Sequence, residues 1–349
     1  MSTASTVWAA DEAATADSSA PDTTGLARCA AITEDLERLA CFDALARGAM
    51  APSTPPLALP AAPPAIRTDR PVRPEYAAPP DPDATRLTRL WELDRTRART
   101  VFDFRPHRDI WLLPVHATDR VNSAPSTPTR GAAPERAWKN TEAAFQLSFK
   151  TKLLQDVFGD NGDLWAAYTQ QSFWQVYTHS ESRPFRENVF EPELMFVMAA
   201  PWNLPVLPMR VLSVGVNHQS NGRSDPFSRS WNRVYLQAGF ERGDFTLEVT
   251  PWWRINEGVV NDDNPDIAHY VGRGEVVASW KYGTSIWRLQ LRSNFNIGDP
   301  KGSAQLSWNQ PLWGNFRSYV RLFSGYGEGL LDYNHRQTTL GLGLSLTGW

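Results

Sequence analysis

From about residue 101 onward, apolar and polar residues alternate with period two, in one segment after another. Segments such as "IWLLPVH", "AAFQLSFKTKL" and "TSIWRLQLRSNFNI" run about 7 to 14 residues and end in turn signals such as "RGD", "NIGDPKG" and "WGN". This pattern predicts an all-β fold of about twelve strands, an even number that suits a closed antiparallel barrel. Thirteen of the 15 Trp lie after residue 100, and many strands end in Trp or Tyr, as interfacial girdles require. A soluble β-sandwich shows the same alternation, but strand length and terminal aromatics favour a twelve-stranded transmembrane barrel. Mean hydropathy is −0.42, and the longest apolar run, residues 194–202, is too short for a membrane helix. Hydropathy is silent about barrels, whose strands average out as polar.

The N-terminal part is different. Residues 1–50 read as a small, polar, mostly disordered extension with one short helical segment, in which Ile32, Leu36, Leu39, Phe42 and Leu45 recur at helical spacing. Residues 51–99 read as a linker, with eleven prolines between Pro52 and Pro82, and the barrel is expected over 100–349. Cys29 and Cys41 fit a local disulfide in an oxidising compartment or, alternatively, two buried thiols. A straight helix would separate residues twelve apart by about 18 Å, so a bridge needs a bend near Thr33. The first residues show neither a charged n-region nor an apolar h-region, which alone points to the cytoplasm; an exported barrel needs an export signal from outside this sequence. The formal net charge of −3 supplies no basic field for nucleic acid.

Candidate chemistry concentrates in "VLSVGVNHQSNGRSDPFSRSWNRVYLQAGF", residues 211–240. The apolar face of the first strand, Leu212, Val214 and Val216, continues into His218 and Ser220. If the two strands form a hairpin about Asp225, Val216 faces Val234, Val214 faces Leu236 and His218 faces Asn232. Apolar positions then pair throughout, which a one-residue slip would destroy. Ser220, His218 and Asn232 thus form a candidate nucleophile, base and orienting group. The loop between them offers carbonyls, hydroxyls and Asp225, hard oxygen ligands suited to Ca²⁺. The alternative is a polar loop flanked by ordinary girdle residues.

These residues carry a resemblance. "NHQSNGRSDPFSRSWNR" resembles the signature of the outer-membrane phospholipase A family of Gram-negative bacteria. The segments "YTQQSFWQ", "SRPFRENVFEPE", "DDNPDI" and "SGYGEGLLDYNHRQT" are similar to that family in the same order. The resemblance covers about residues 100–349. It implies a twelve-stranded outer-membrane barrel that hydrolyses phospholipid acyl esters and is activated by calcium and dimerisation. It implies a catalytic triad of Ser220, His218 and Asn232. It further implies calcium ligands at Arg223 (through its carbonyl) and Ser228, with Ser182 supplied by the partner protomer. Gln170 matches a dimer-interface residue, and Gly222 part of the oxyanion environment. The expected partners are phospholipid, the outer-membrane bilayer and a second copy of the chain, with the N-terminal extension in the periplasm. Three departures stand out: the first hundred residues lack a counterpart, Ser182 precedes Arg183 rather than a small residue, and the terminal leucines run out of phase with Trp349. Two other readings remain open at this point. One is a non-enzymatic barrel, structural or pore-forming; the other makes the N-terminal segment the functional part, with the barrel as its anchor.

Overall fold

Period-two alternation becomes one closed antiparallel sheet. The computed structural model describes residues 23–49, 84–95, 101–179, 182–258 and 262–346. The expectations for residues 1–22, for most of the Pro-rich linker and for Trp349 lie outside these described residues. The described part of the extension and the barrel belong to two separate compact units.

In the first unit, α1 (Thr23–Ala30) and α2 (Asp35–Ala49) form a helical hairpin. The break between them falls at the expected bend and brings the Cα atoms of Cys29 and Cys41 to 5.5 Å, where a disulfide joins them.

The second unit opens with α3 (Arg86–Trp91), β1 (Phe104–Pro106) and β2 (Trp111–Thr118). A small hairpin, β3 (Ser126–Thr127) with β4 (Gly131–Ala132), leads to β5 (Thr141–Leu154), β6 (Asp163–Trp174) and β7 (Phe185–Ala199). Next come β8 (Met209–Ser220), β9 (Ser230–Arg242), β10 (Phe245–Ile255), the short α4 (Ile267–Tyr270) and β11 (Gly274–Tyr282). β12 (Ser285–Ser293), β13 (Gly302–Trp313), β14 (Phe316–Gly325) and β15 (Gln337–Ser345) complete the chain. β2 pairs with both β15 and β5, and β5 with β6, so the twelve long strands close on themselves, as the sequence predicts. β1 adds a short pairing on β5.

The alternation places apolar residues outside. Leu147, Val214, Val216, Leu236, Leu322, Leu340 and Leu342 all stand exposed on the outer wall, where lipid replaces water. Trp280, Trp287 and Trp308 run side by side across three strands as an interfacial girdle, the first two rings stacked 6.1 Å apart. At one end the connections include two-residue turns, 243–244, 283–284 and 314–315; at the other they are loops such as 119–140, 221–229 and 256–273. Long loops belong to the extracellular end of such barrels.

The interior is polar and filled. Lys150, Lys152, Asp163, Glu191, Glu193, Asn217, Glu241 and Arg321 are all buried there. Arg108 bonds Glu191 at 2.9 Å and Glu193 at 2.8 Å, and Lys152 bonds Asp163 at 3.0 Å. A polar cavity of about 180 Å³ remains.

One domain boundary needs correction. Residues 84–95, read from sequence as linker, enter the barrel at the short-turn end. Leu87 and Trp91, four apart and so on one face of α3, are buried with Trp165, Val211 and Tyr235. Leu87 lies so close to Gly239 that a Cβ there would meet its Cδ1 at 3.1 Å and Val211 Cγ1 at 2.5 Å. The flanking charges are not left to solvent. Instead they pair inside the barrel: Arg86 with Glu248 at 3.4 Å, Arg95 with Asp163 at 2.7 Å and Glu92 with Lys152 at 3.3 Å.

Candidate active site

β8 and β9 pair in the register that parity predicts, with Val214 opposite Leu236, Val216 opposite Val234 and His218 opposite Asn232. Directly opposed side chains on one face are close enough to bond. His218 Nδ1 and Asn232 Oδ1 lie 2.8 Å apart. Because an amide oxygen only accepts, Nδ1 carries the proton and donates it, which leaves a lone pair on Nε2. Ser220 follows two residues along the same outward face, at the long-loop end. In this structure its hydroxyl donates no hydrogen bond to the imidazole. All three residues therefore stand on the lipid-facing wall, in line with exposed Val214 and Val216.

The inner faces of the same strands hold that geometry in place. Asn217 donates to Glu191 at 2.7 Å and accepts from Arg233 at 2.6 Å, so the residue before His218 is clamped to the residue after Asn232. Trp231 Nε1 donates to Gln219 at 2.7 Å, tying the residue before Asn232 to the residue after His218. Arg233 also lies over the Trp231 ring at 4.1 Å. Alternation thus gives each candidate outer residue a buried, hydrogen-bonded inner neighbour.

The loop after Ser220 closes on Asn221. Its amide donates to the Phe227 carbonyl at 2.8 Å, and its oxygen accepts the Arg229 backbone N–H at 3.1 Å. Gly222 has φ +61°, a left-handed conformation that glycine adopts without strain, and a Cβ there would meet the Phe190 ring at 3.1 Å. Ser228 donates to Asp263 at 2.6 Å, and the Ser230 backbone N–H donates to Asn264 at 3.0 Å. The "DDNPDI" segment therefore braces the loop. Arg130, beside the small β3–β4 hairpin, bridges Asp263 at 2.8 Å and Asp225 at 3.0 Å. The Asp263 hydrogen bond, with Asp225 alongside, raises the Arg130 guanidinium above its ordinary pKa.

The other expected site residues are placed as follows. Arg223 turns its guanidinium to the Phe185 carbonyl at 2.7 Å, and burial lowers its pKa from the ordinary value. Ser182 is exposed on the β6–β7 connection, with φ +57°. Gln170 lies half-buried on the outer wall of β6, accepting from Tyr168 at 3.2 Å and donating to Ser172 at 3.1 Å. The donor set around 221–229, a carbonyl, a hydroxyl and carboxylates, is all hard oxygen and fits Ca²⁺ in kind. Among the described residues no cluster of three or more His, Cys, Asp or Glu forms a cation site.

Three residues at the site carried no role in the sequence reading. Asp263 was visible only as part of a motif. Arg130 and Glu257, which accepts from Asn232 Nδ2 at 2.7 Å, sit in long loops without periodicity.

Comparison with known proteins agrees with this architecture. Residues 87–346 match the family described as Phospholipase A1, a span that begins inside α3. The chain is 41% identical to the phospholipase A1 of Klebsiella pneumoniae over 208 residues, which is 60% of this chain and 71% of that protein. It is 38% identical to that of Salmonella typhi over 245 residues, 70% of this chain and 82% of that one. The crystal structure of the calcium-bound outer membrane phospholipase dimer of Salmonella typhi superposes with a TM-score of 0.64 at 34% identity, covering 72% of this chain and 94% of that one. Outer membrane phospholipase A of Escherichia coli gives a TM-score of 0.65 at 32% identity, with 76% and 99% covered. The chain is an outer-membrane β-barrel that belongs to the phospholipase A1 family.

Proposed function

We propose that this barrel hydrolyses acyl ester bonds of phospholipids and lysophospholipids at the membrane surface, with Ser220 as nucleophile, His218 as base and Asn232 as the group that orients His218. The observation that carries this reading is the 2.8 Å His218–Asn232 hydrogen bond on the lipid-facing wall, with Ser220 on the same face. Acyl chains reach that wall from the bilayer, whereas the lumen is filled with paired charges, which speaks against a wide pore. Ser220 Oγ attacks the ester carbonyl while His218 Nε2 takes its proton. That proton goes to the departing lysophospholipid or glycerol oxygen as the acyl-enzyme forms. Water then attacks the acyl-enzyme with His218 again as base, releasing fatty acid and regenerating Ser220. Asn232 keeps the imidazole in the tautomer this needs.

Calcium would be held by the Arg223 carbonyl, Ser228 and Ser182 of the partner subunit, and would supply positive charge near the developing oxyanion. The calcium-bound dimer of the Salmonella typhi relative supports this, as does the oxygen-only donor set. Gln170, a polar side chain among lipid-facing neighbours, belongs to the proposed dimer contact. The entry of α3 at the short-turn end supports a periplasmic N-terminal extension.

The decisive experiment measures fatty-acid release from phospholipid in detergent with calcium. Ser220→Ala should abolish release while leaving a heat-stable barrel, and a chelator should silence the wild type. Retained hydrolysis in Ser220→Ala would overturn the assignment.

A further inference from the structure

Beyond the three residues of the proposed triad, the segment that follows the next strand contributes a carboxylate. β10 pairs with β9 so that Ile255 faces Asn232, and Trp253 and Ile255 point outward, 54% and 45% exposed. Glu257 follows two residues later, just past the end of β10, half-buried, with Oε1 2.7 Å from Asn232 Nδ2. A carboxylate beside a lipid-facing apolar row is costly unless a donor satisfies it. Here the donor is the amide of Asn232. The neighbouring cation, Arg254, is engaged elsewhere, with Asp262 at 2.6 Å and the Pro265 carbonyl at 2.8 Å.

We propose that Glu257 is a positioning residue for this reaction: its carboxylate fixes the orientation of Asn232 and lends negative charge to the His218–Asn232 pair. This rests on the triad reading given above. The chain of constraints runs outward from the charge. An ionised carboxylate can only accept, so it compels the Asn232 NH₂ to face it and turns Oδ1 toward His218. Oδ1 can only accept as well, so it requires a proton on His218 Nδ1 and leaves Nε2 basic toward Ser220. Asparagine alone is neutral and stabilises imidazolium less than a carboxylate does. Glu257 restores that negative charge one hydrogen bond further out. Strands β8 and β9 and the loop just past β10 thus each present part of a Ser220–His218–Asn232–Glu257 relay.

The test compares Glu257→Ala, Glu257→Gln, Asn232→Ala and the Asn232→Ala/Glu257→Ala double variant. Each is folded in detergent with calcium and assayed for kcat and KM on phospholipid, alongside the rate of labelling by a serine-directed phosphonate. Loss of one charge-assisted hydrogen bond should lower kcat about tenfold in Glu257→Ala with KM unchanged. Glu257→Gln, which can still accept from Asn232 but carries no charge, should recover part of that loss. In the Asn232→Ala background, removing Glu257 should change nothing further, because Glu257 acts through Asn232. The proposal is overturned alone if Asn232→Ala is slow while Glu257→Ala matches wild type, or if the two losses multiply. Full activity in Asn232→Ala overturns both the triad reading and the relay.

Discussion

Glu191 is the anchor most exposed to a single substitution, because it satisfies several partners behind the site at once. It is buried on β7 and accepts from Arg108 through two nitrogens, from Asn217 at 2.7 Å, from Gln219 at 3.3 Å and from Arg233 at 3.2 Å. Replacing it with alanine strands those donors unequally. Arg108 keeps Glu193 at 2.8 Å, and its side chain is 34% exposed, so water can take up part of the loss. Arg233 is 12% exposed and keeps Asn217 and the faces of Trp231 and Trp252, none of which carries a charge. Leaving a buried charge without its partner costs about 3–5 kcal/mol. With Arg108 partly compensated, about 3 kcal/mol is expected for Glu191→Ala. Glu191→Gln, which keeps an acceptor but no charge, should lose about half of that. Urea unfolding of the barrel in micelles, followed by tryptophan fluorescence, measures both. Hydrolysis should fall as well, because Asn217 and Gln219 flank His218 and lose their shared acceptor. A Glu191→Ala barrel within about 0.5 kcal/mol of wild type would refute the view that this network holds the strand register.

Other consequences follow from single features. Gly222→Ala places a Cβ in a left-handed conformation against Phe190; it should cost about 1 kcal/mol or more and slow hydrolysis, read from the urea midpoint and the initial rate. Leu87→Asp puts a charge into the packed contact between α3 and Gly239, so planar-bilayer recordings should show ion conductance that the wild type lacks. Cys29→Ser opens a bridge across a sequence separation of 12, worth about 3 kcal/mol on a loop-entropy estimate; limited proteolysis should cut the 23–49 hairpin sooner while leaving the barrel intact.

The barrel was legible because alternation is a strong, repeated signal: each strand must show one face to lipid and the other to a filled lumen. The β8–β9 register was legible for the same reason, since a one-residue slip would turn the apolar face of one strand against the polar face of the other. α3 was not. Its six residues carry too little periodicity to stand out, and the partners of its Arg and Glu residues lie far along the chain, as with Glu248 and Asp163.

The same contrast governs the site. His218, Ser220 and Asn232 sit within one hairpin, so parity alone could bring them together. What surrounds them arrives from distant segments: Glu191 from the preceding strand, Asp263 and Asn264 from the β10–β11 loop, Arg130 from the first long loop and Glu257 from beyond β10. Sequence periodicity reports which face a residue takes, not which loop folds over that face. The outward position of the proposed catalytic residues has a direct consequence. A barrel enzyme whose substrate dissolves in the bilayer needs its nucleophile outside the wall, so its stabilising polar and charged groups must lie either behind the wall or at its rim. Asn217, Gln219 and Glu191 occupy the first place; Glu257, Asp225 and Asp263 occupy the second.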